Sequence, residues 1–375
     1  MIRIFVTGDN HIGLKYASHE KASVLAEKRI SAFEGMVEAA NREGCHLFVI
    51  TGDLFENTYG ITKRDVKTLL DTLSLFRGTV AVLPGNHDYY DKETKLWQYF
   101  AEVVSAKDNI MLLNNYRPYS LTANGEEVVL YPASCTSLHS APGQNNLGWI
   151  KAEAIPSDAA YRIGIAHGAV EGETIDREGQ YFLMTRAELE SIPVDAWLIG
   201  HTHVPFPRDL TESYAPCGKI FNAGTHVQTD VSCNTEGQCF VVEVGDDKTL
   251  RAKKFASGNL RFYRKNIAFS ADAMEEVLQS HLSELEDDSV VELTLSGAVS
   301  AEEYENRAHI IEQKLSRFIE GSYNDYSLSK LISKSLIDAE FPETSFSAAL
   351  LTALIDQPKE AQLMYELLNS LKGGK

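Results

Sequence analysis

Five short clusters of glycine, carboxylate, amide and imidazole residues punctuate the first 203 residues of the chain, and each follows directly on a short apolar run. They are Asp9-Asn10-His11, Gly52-Asp53, Gly85-Asn86-His87-Asp88, His167-Gly168 and Gly200-His201-Thr202-His203. The apolar runs at residues 2–6, 47–51, 79–83, 128–133, 162–166 and 196–199 read as buried β-strands. Between them lie segments of helical period. Residues 20–42 place Leu25, Ile30, Phe33 and Val37 at spacings that share a face, residues 62–76 do the same with Val66, Leu69, Leu70 and Leu73, and residues 94–104 form a third. Strand and helix in alternation is α/β grammar, and in such folds ligands bind beyond the carboxyl ends of the strands. The five clusters are therefore expected to meet in one crevice.

Their residue types are those of ligands for hard to borderline divalent cations: carboxylates, an amide oxygen and imidazoles, with no thiolate. Asp9, His11, Asp53, Asn86, His167, His201 and His203 make seven candidate side chains. Seven exceed the needs of one tetrahedral or open octahedral ion and suit two ions sharing a carboxylate, with Asp53 as the natural bridge. A pair of ions roughly 3.5–4 Å apart clamps the attacking and leaving oxygens of a phosphate ester. The mixed nitrogen and oxygen set suits manganese, iron or zinc better than calcium. Glycines beside the ligands permit sharp turns at the strand ends. Taken alone, each motif has a bland reading as an ordinary turn; solitary histidines such as His139 and His281 keep it.

In order and spacing the series resembles the calcineurin-like metallophosphoesterase superfamily, and within it the nuclease subunit of SbcCD type, on the strength of Asp9-Asn10-His11-Ile12-Gly13, Thr51-Gly52-Asp53-Leu54-Phe55 and Leu83-Pro84-Gly85-Asn86-His87-Asp88. The likeness is strong over about residues 1–255 and beyond that holds only in layout. It implies a β-sandwich flanked by helices (αββα) over residues 1–258, a smaller α/β cap over 259–340 and a C-terminal helical segment over 341–375. It also implies one metal held by Asp9, His11, Asp53 and His203, a second held by Asp53, Asn86, His167 and His201, and in-line attack on phosphorus by a metal-bound hydroxide. His87 and Asp53 are the implied catalytic residues, with the His87 imidazole meeting the scissile phosphate or protonating the leaving oxygen. Several members of the nuclease group carry a histidine three residues after the bridging aspartate, where this chain has Glu56, so exonuclease or endonuclease preference is left open.

Metal ligands specify phosphoester hydrolysis without specifying the ester. The chain carries a net charge of −18, which excludes a generic basic nucleic-acid binder. That acidity is unevenly spread: residues 266–375 hold 20 acidic and 8 basic side chains. The 250–265 stretch has no acidic residue and carries Arg251, Lys253, Lys254, Arg261, Arg264 and Lys265 interleaved with Phe255, Phe262 and Tyr263, a candidate DNA contact. The opposing reading is a strand with solvated charges leading into a linker.

After residue 258, a strand at 267–269, a helix at 273–285, a strand at 290–295 and a helix at 301–318 suggest a small βαβα unit, followed by helices at 347–355 and 360–371. Phe346, Leu350, Leu351, Leu354 and Ile355, then Leu363, Met364, Leu367, Leu368 and Leu371, line two apolar helical faces. By resemblance these dock on an SbcC-like coiled-coil ABC ATPase; equally, they pack on their own cap. The helices at 62–76 and 94–104 occupy positions that the resemblance assigns to a homodimer interface. No apolar run approaches the roughly 20 residues of a membrane span, the N-terminal run is too short for a signal peptide, and five unpaired-pattern cysteines point to a reducing, cytoplasmic setting. The expected function is thus a two-metal DNA nuclease subunit using manganese. The alternatives are a phosphatase or phosphodiesterase acting on a small molecule, and an ATPase-regulating scaffold with a secondary metal site.

Overall fold

The computed structural model describes residues 1–153, 155, 160–173, 176, 179–233, 235–270 and 273–372. They form two compact units, Met1–Arg261 and Phe262–Lys375. In chain order the first contains β1 (Ile2–Thr7), α1 (Ala22–Arg42), β2 (Leu47–Ile50), α2 (Lys63–Leu73), β3 (Thr79–Val82), α3 (Lys95–Val104), β4 (Ile110–Leu112), β5 (Tyr119–Ala123), β6 (Glu126–Ala133), α4 (Gly148–Ala152), β7 (Tyr161–His167), α5 (Arg186–Ser191), β8 (Ala196–Gly200), β9 (Ala215–Pro216), β10 (Ile220–Phe221), β11 (Gln238–Val244) and β12 (Leu250–Ala256).

Two sheets result, one of seven strands in the order β4-β3-β2-β1-β11-β12-β9 and one of five in the order β10-β8-β7-β6-β5. Side chains alternate across each strand, and this sorts them into layers. Ile2, Ile4 and Val6 of β1 and Leu47 and Val49 of β2 face Ile163 and Ile165 of β7 and Leu198 of β8 in a core between the sheets. The opposite faces, with Phe5, Phe48, Ile50 and Val82, pack on Phe33, Met36, Val66, Leu70 and Phe100 of α1–α3. On the far side Tyr131, Trp197 and Ile199 pack on Ile150 of α4 and Leu189 of α5. The architecture is the expected αββα sandwich. Each fully buried Leu, Ile or Phe in these layers contributes about 1.5–3 kcal/mol of transfer free energy. Helix starts are set locally: Thr62 caps α2 by accepting from the Asp65 amide, and Thr185 with Glu188 closes a capping box on α5.

The topology decides where the polar clusters go. Strands β1, β2 and β3 pair in parallel in one sheet, and β6, β7 and β8 in the other. All five clusters therefore sit at carboxyl ends of parallel strands, three from one sheet and two from the other. The Ser, Pro, Gly and Asn of residues 135–160, with little periodicity, predict a long surface connection, yet Cys135, Leu147 and Ile150 are buried and α4 lies within the stretch; residues 154 and 156–159 lie outside the described residues.

The second unit comprises β13 (Arg261–Ser270), which starts at its boundary, then α6 (Met274–Leu282), β14 (Ser289–Val299), α7 (Ala301–Leu315), β15 (Glu320–Lys330), α8 (Lys334–Glu340), α9 (Phe346–Ala353) and α10 (Pro358–Lys372). A three-stranded sheet β13-β14-β15 carries α6 and α7 over a core of Phe269, Leu278, Leu293 and Ile311. The expected βαβα unit thus gains a third strand and an extra helix. Strand β15, EGSYNDYSLSK, is a mostly solvated edge strand with no β-branched run to mark it. Strand β13 begins six residues earlier than expected because its charged residues alternate with Phe262, Ile267 and Phe269 on the buried side. Helices α8–α10 close a small core of Leu336, Ile337, Phe341, Leu351, Ala361 and Tyr365. Cys45, Cys135, Cys217, Cys233 and Cys239 are all free thiols. Among the described residues no helix is long and apolar enough to cross a membrane.

Candidate metal centre

The loops after β1 and β2 are zipped together by backbone hydrogen bonds: the Asn10 and His11 amides both donate to the Asp53 carbonyl (2.8 and 2.9 Å) and the Asp9 amide donates to the Gly52 carbonyl (3.1 Å). This crossing forces an unusual backbone. Asp9, His11 and Asp53 take φ of 48°, 47° and 50°, and His201 takes 106°. A non-glycine residue in that region costs on the order of 1–3 kcal/mol and persists only when its surroundings over-determine it. Four of the seven candidate ligands are thus held in strained conformations at one place.

Three overlapping groups of donor atoms emerge, the atoms of each lying within 4.8 Å of one another. Asp9, His11 and His203 converge in the first and Asp53, His167 and His201 in the second, and these two contain only candidate ligands; His11, Asp53 and His87 form the third. In the first, His11 Nε2 lies 3.1 Å from His203 Nε2 and 3.9 Å from Asp53 Oδ2. In the second, Asn86 Oδ1 lies 2.9 Å from His167 Nε2 and 3.1 Å from His201 Nδ1, and His167 Nε2 lies 3.3 Å from Asp53 Oδ2. Two donors bound to one ion at roughly 2.1 Å and near 90–109° are about 3.0–3.4 Å apart, which the His11–His203, Asn86–His201 and His167–Asp53 separations match and the 3.9 Å His11–Asp53 separation exceeds. Asp53 faces both groups, as a bridging carboxylate must. The donor set therefore fits the expected pair of ions, of which Asp9, His11, Asp53 and His203 would hold one and Asp53, Asn86, His167 and His201 the other.

The surroundings orient these donors. His167 Nδ1 donates to the Thr51 carbonyl (2.9 Å), which directs Nε2 to the centre, and His11 Nδ1 donates to Glu56 Oε2 (2.9 Å), which does the same there. Asn86 Nδ2 donates to the Leu138 carbonyl (3.3 Å), fixing its oxygen toward the imidazoles. Tyr181 stacks on the His201 ring at 5.1 Å. Asp88 is not a ligand: its carboxylate accepts from the Gly85 and Phe55 amides (2.7 and 3.0 Å) and pins the loop that carries Asn86 and His87.

Electrostatics follow from the crowding. Burial raises the cost of the Asp53 charge, yet the facing His167 outweighs it and holds the carboxyl well below its usual range. Burial likewise opposes charging His167, and Asp53 outweighs it, raising that imidazole to about 9. His201 is pushed down to about 3 by burial and by His167, so it stands neutral and ready to ligate. His203 is lowered by burial as well.

His87 lies beside both groups, within 4.8 Å of donor atoms of His11 and Asp53. Its amide donates to Asp53 Oδ1 (2.8 Å) and its Nδ1 donates to the Glu56 carbonyl (3.1 Å), so the ring is fixed from two directions. It lines an open cleft of about 430 Å³ together with His11, Glu56, His203, Tyr16, His19 and Asp230.

A model of the calcineurin-like phosphoesterase family matches residues 2–205, more than half of the chain and a span that contains all seven donors. The chain belongs to this phosphoesterase family. Membership makes it a metal-dependent phosphoester hydrolase. Among solved structures the phosphoesterase is similar to TT1561 of Thermus thermophilus, at 12% identity over 67% of this chain and 97% of that one with a TM-score of 0.43, and to a dimetal phosphatase from Danio rerio, at 10% identity over 68% and 98% with a TM-score of 0.36. When bound, two divalent cations supply such an enzyme with charge that polarises the phosphoryl oxygens and lowers the pKa of water. The phosphoesterase's own residues do the rest: they hold those charges in place, and His87 presents an imidazole at the cleft wall, where it is placed to give or hold a proton.

The basic residues of the 250–265 stretch are not gathered at this centre. Arg251 and Arg3 flank Glu243 in register across β12, β11 and β1, at the end of the sheet away from the ligands. Lys253 pairs with Glu43 (2.7 Å) and Arg261 with Glu236 (3.8 Å), while Lys254 faces the other side of β12. Arg264 pairs with Glu292 (2.7 Å) and Lys265 sits over the Tyr263 ring, both in the second unit. Sequence reasoning also passed over Glu56 as the anchor of His11 and over Arg29, a fully buried guanidinium whose Nε donates to the Asn10 carbonyl at 2.6 Å. A signal for Arg29 does exist: it lies four residues from both Leu25 and Phe33, as the one charged residue on the apolar face of α1.

Proposed function

We propose that this phosphoesterase is a two-metal phosphodiesterase of the SbcCD nuclease-subunit type, acting on DNA with manganese as its working metal. The observation that carries the diester reading is the cleft beside His87. Its described lining includes the carboxylates Glu56 and Asp230 and no lysine or arginine. Such a wall disfavours the second negative charge of a phosphate monoester and is compatible with the single charge of a diester. His87, held by Asp53 and Glu56, supplies the proton that an alkoxide leaving group needs.

For DNA the support is the motif series itself, with Asp9-Asn10-His11, Gly52-Asp53 and Gly85-Asn86-His87-Asp88 in the nuclease pattern. Leu363, Leu367 and Leu371 of α10 are 69%, 52% and 70% exposed at successive turns, and Phe346 of α9 is 78% exposed. This apolar stripe is consistent with docking on an SbcC-like ABC ATPase. Action as a homodimer completes the proposal.

A second reading, a diesterase for small molecules, is favoured by one observation: Arg251, Lys253, Arg261 and Arg264 each have a carboxylate partner, which leaves little free positive charge for a DNA backbone. A manganese-dependent assay on end-labelled duplex DNA beside bis-p-nitrophenyl phosphate separates the two, with His87→Ala and Asp53→Asn as controls. The proposal expects both substrates to be cut by the wild type and neither at a comparable rate by the variants. Hydrolysis of the small ester with DNA left intact would establish the second reading instead.

A further inference from the structure

Arg29 is the largest buried charge outside the ligand set, 1% exposed on the inner face of α1. No carboxylate among the described residues lies within ion-pair distance of it. Its donors spread instead over two segments, the second of which is also tied to α1 by His226 Nε2, which donates to the Arg29 carbonyl (3.0 Å). Nε donates to the Asn10 carbonyl (2.6 Å) and Nη1 to Tyr16 Oη (3.3 Å) on the loop after β1. Nη1 also donates to the carbonyls of Val227 (3.2 Å) and Gln228 (3.3 Å), and Nη2 to Thr225 Oγ1 (3.1 Å), on the segment after β10.

Both segments back the same half of the centre. Asn10 stands between Asp9 and His11, whose backbones are in the left-handed region and need an external hold. Thr225 bridges Gly8 in parallel, and the neighbouring Gly224 approaches the His203 carbonyl so closely that a Cβ there would lie 2.9 Å from it. One guanidinium fork thus reaches the backbone between Asp9 and His11 directly and the segment packed on the His203 carbonyl through Thr225, next to Gly224. The other half has side-chain supports of its own, the Thr51 and Leu138 carbonyls, and meets the first through the Asp53 carbonyl, which accepts from the Asn10 and His11 amides, and through the His201 amide, which donates to Asp9 Oδ1 (2.9 Å). A lysine could not replace the fork: a single ammonium cannot reach acceptors diverging from three nitrogens in a plane.

We infer that Arg29 is a positioning residue for the Asp9–His11–His203 half of the metal centre, setting the affinity of that half separately from the Asp53–Asn86–His167–His201 half. The inference rests on the two-cation reading of the seven donors. Outer supports of this kind are worth about 10–100-fold in metal affinity. Since Arg29 is itself a cation near this half, loss of its charge alone would tighten metal binding there; the positioning role predicts the opposite sign.

The test is a titration of metal-free full-length protein with manganese, following free ion by electron paramagnetic resonance and binding by calorimetry, on wild type, Arg29→Lys, Arg29→Met and Thr225→Val. Wild type is expected to bind two ions; fewer than two would refute the two-cation reading, leaving no half for Arg29 to position. In Arg29→Lys and Arg29→Met one site should keep its affinity and the other weaken by about 10–100-fold. Thr225→Val, which removes a single acceptor and is the variant least able to disturb folding, should weaken the same site by a smaller factor. Adding Asn86→Ala to Arg29→Lys should leave neither site at wild-type affinity. Retention of one wild-type site in that double variant would show that Arg29 serves the Asn86 half and would overturn the assignment. So would two unchanged sites in Arg29→Lys and Thr225→Val, a tightened site in Arg29→Met, or an equal weakening of both sites with a lowered melting temperature of the metal-free protein.

Discussion

Gly85→Ala changes no ligand and adds no charge, yet it should disable the centre. A Cβ built on Gly85 lies 2.2 Å from Asp53 Oδ1 and 2.3 Å from the Asp53 backbone nitrogen. Non-bonded carbon rarely approaches nitrogen or oxygen closer than about 3.0 Å, so the two loops must separate by roughly 0.8 Å. Because one obstacle is backbone, no side-chain rotation relieves it. Asp53 Oδ2 lies 3.3 Å from His167 Nε2, and a shift of roughly 0.8 Å that widened this pair would take it out of the roughly 3.0–3.4 Å range of neighbouring donors on one ion. A misplacement near 1 Å in a reacting constellation costs about 100-fold, or about 2.7 kcal/mol of barrier. Overpacking should also cost about 1–3 kcal/mol of stability, a fall in melting temperature of roughly 2–12 °C. The assay is kcat/KM on bis-p-nitrophenyl phosphate beside a thermal melt, with Gly218→Ala, whose Cβ meets nothing within 4 Å, as the control expected to match wild type. A Gly85→Ala enzyme within threefold of wild type would refute the claim that close approach of these loops sets the Asp53 position.

Four further outcomes can be checked. Glu56→Ala should free the His11 ring and weaken manganese binding by about 10–100-fold, while Glu56→Gln, which keeps an acceptor for Nδ1, should fall between it and wild type in the same titration. The His167 imidazole, raised to about 9, must lose a proton to ligate, so manganese affinity should climb with pH between about 7 and 9 and level above, and calorimetry in buffers of different ionisation enthalpy should detect proton release. In the metal-free protein the sign is reversed: the raised pKa means that the His167–Asp53 pair contributes its stability fully below about 6.5 and loses it as pH rises through about 9, an effect on the order of 3 kcal/mol visible in urea midpoints. Leu351→Ala, fully buried among α8–α10, should destabilise the second unit by about 3 kcal/mol, whereas Leu363→Ala, 69% exposed, should change its stability by less than about 0.5 kcal/mol; a large effect of the latter would show that the apolar stripe serves folding and not a partner.

That the seven candidate donors and His87 would meet at strand ends was legible in the sequence because the signal is local: an apolar run ends, and a cluster of Asp, Asn or His with glycine beside it begins. The α1 face was equally plain in Leu25, Phe33 and Val37. Strand β15 and helix α8 were not, since an edge strand facing water on one side needs no β-branched run and a seven-residue helix has too few turns to show a period. The basic stretch was legible as composition but not as a surface. In the fold Arg251 and Lys253 meet Glu243 and Glu43, residues far away in the chain or brought close only by strand pairing, and nothing in the 250–265 stretch itself announces those carboxylates.

The sequence by itself determined which side chains can hold metal ions and that they would meet at strand ends, because ligand chemistry and alternating apolar period are properties of short segments. The tertiary structure alone decided that Glu56 holds His11, that Arg29 reaches the backbone between Asp9 and His11, and that most of the basic stretch is neutralised. Most of these depend on contacts between residues tens to hundreds of positions apart, and a chain's order along itself carries no distance across it.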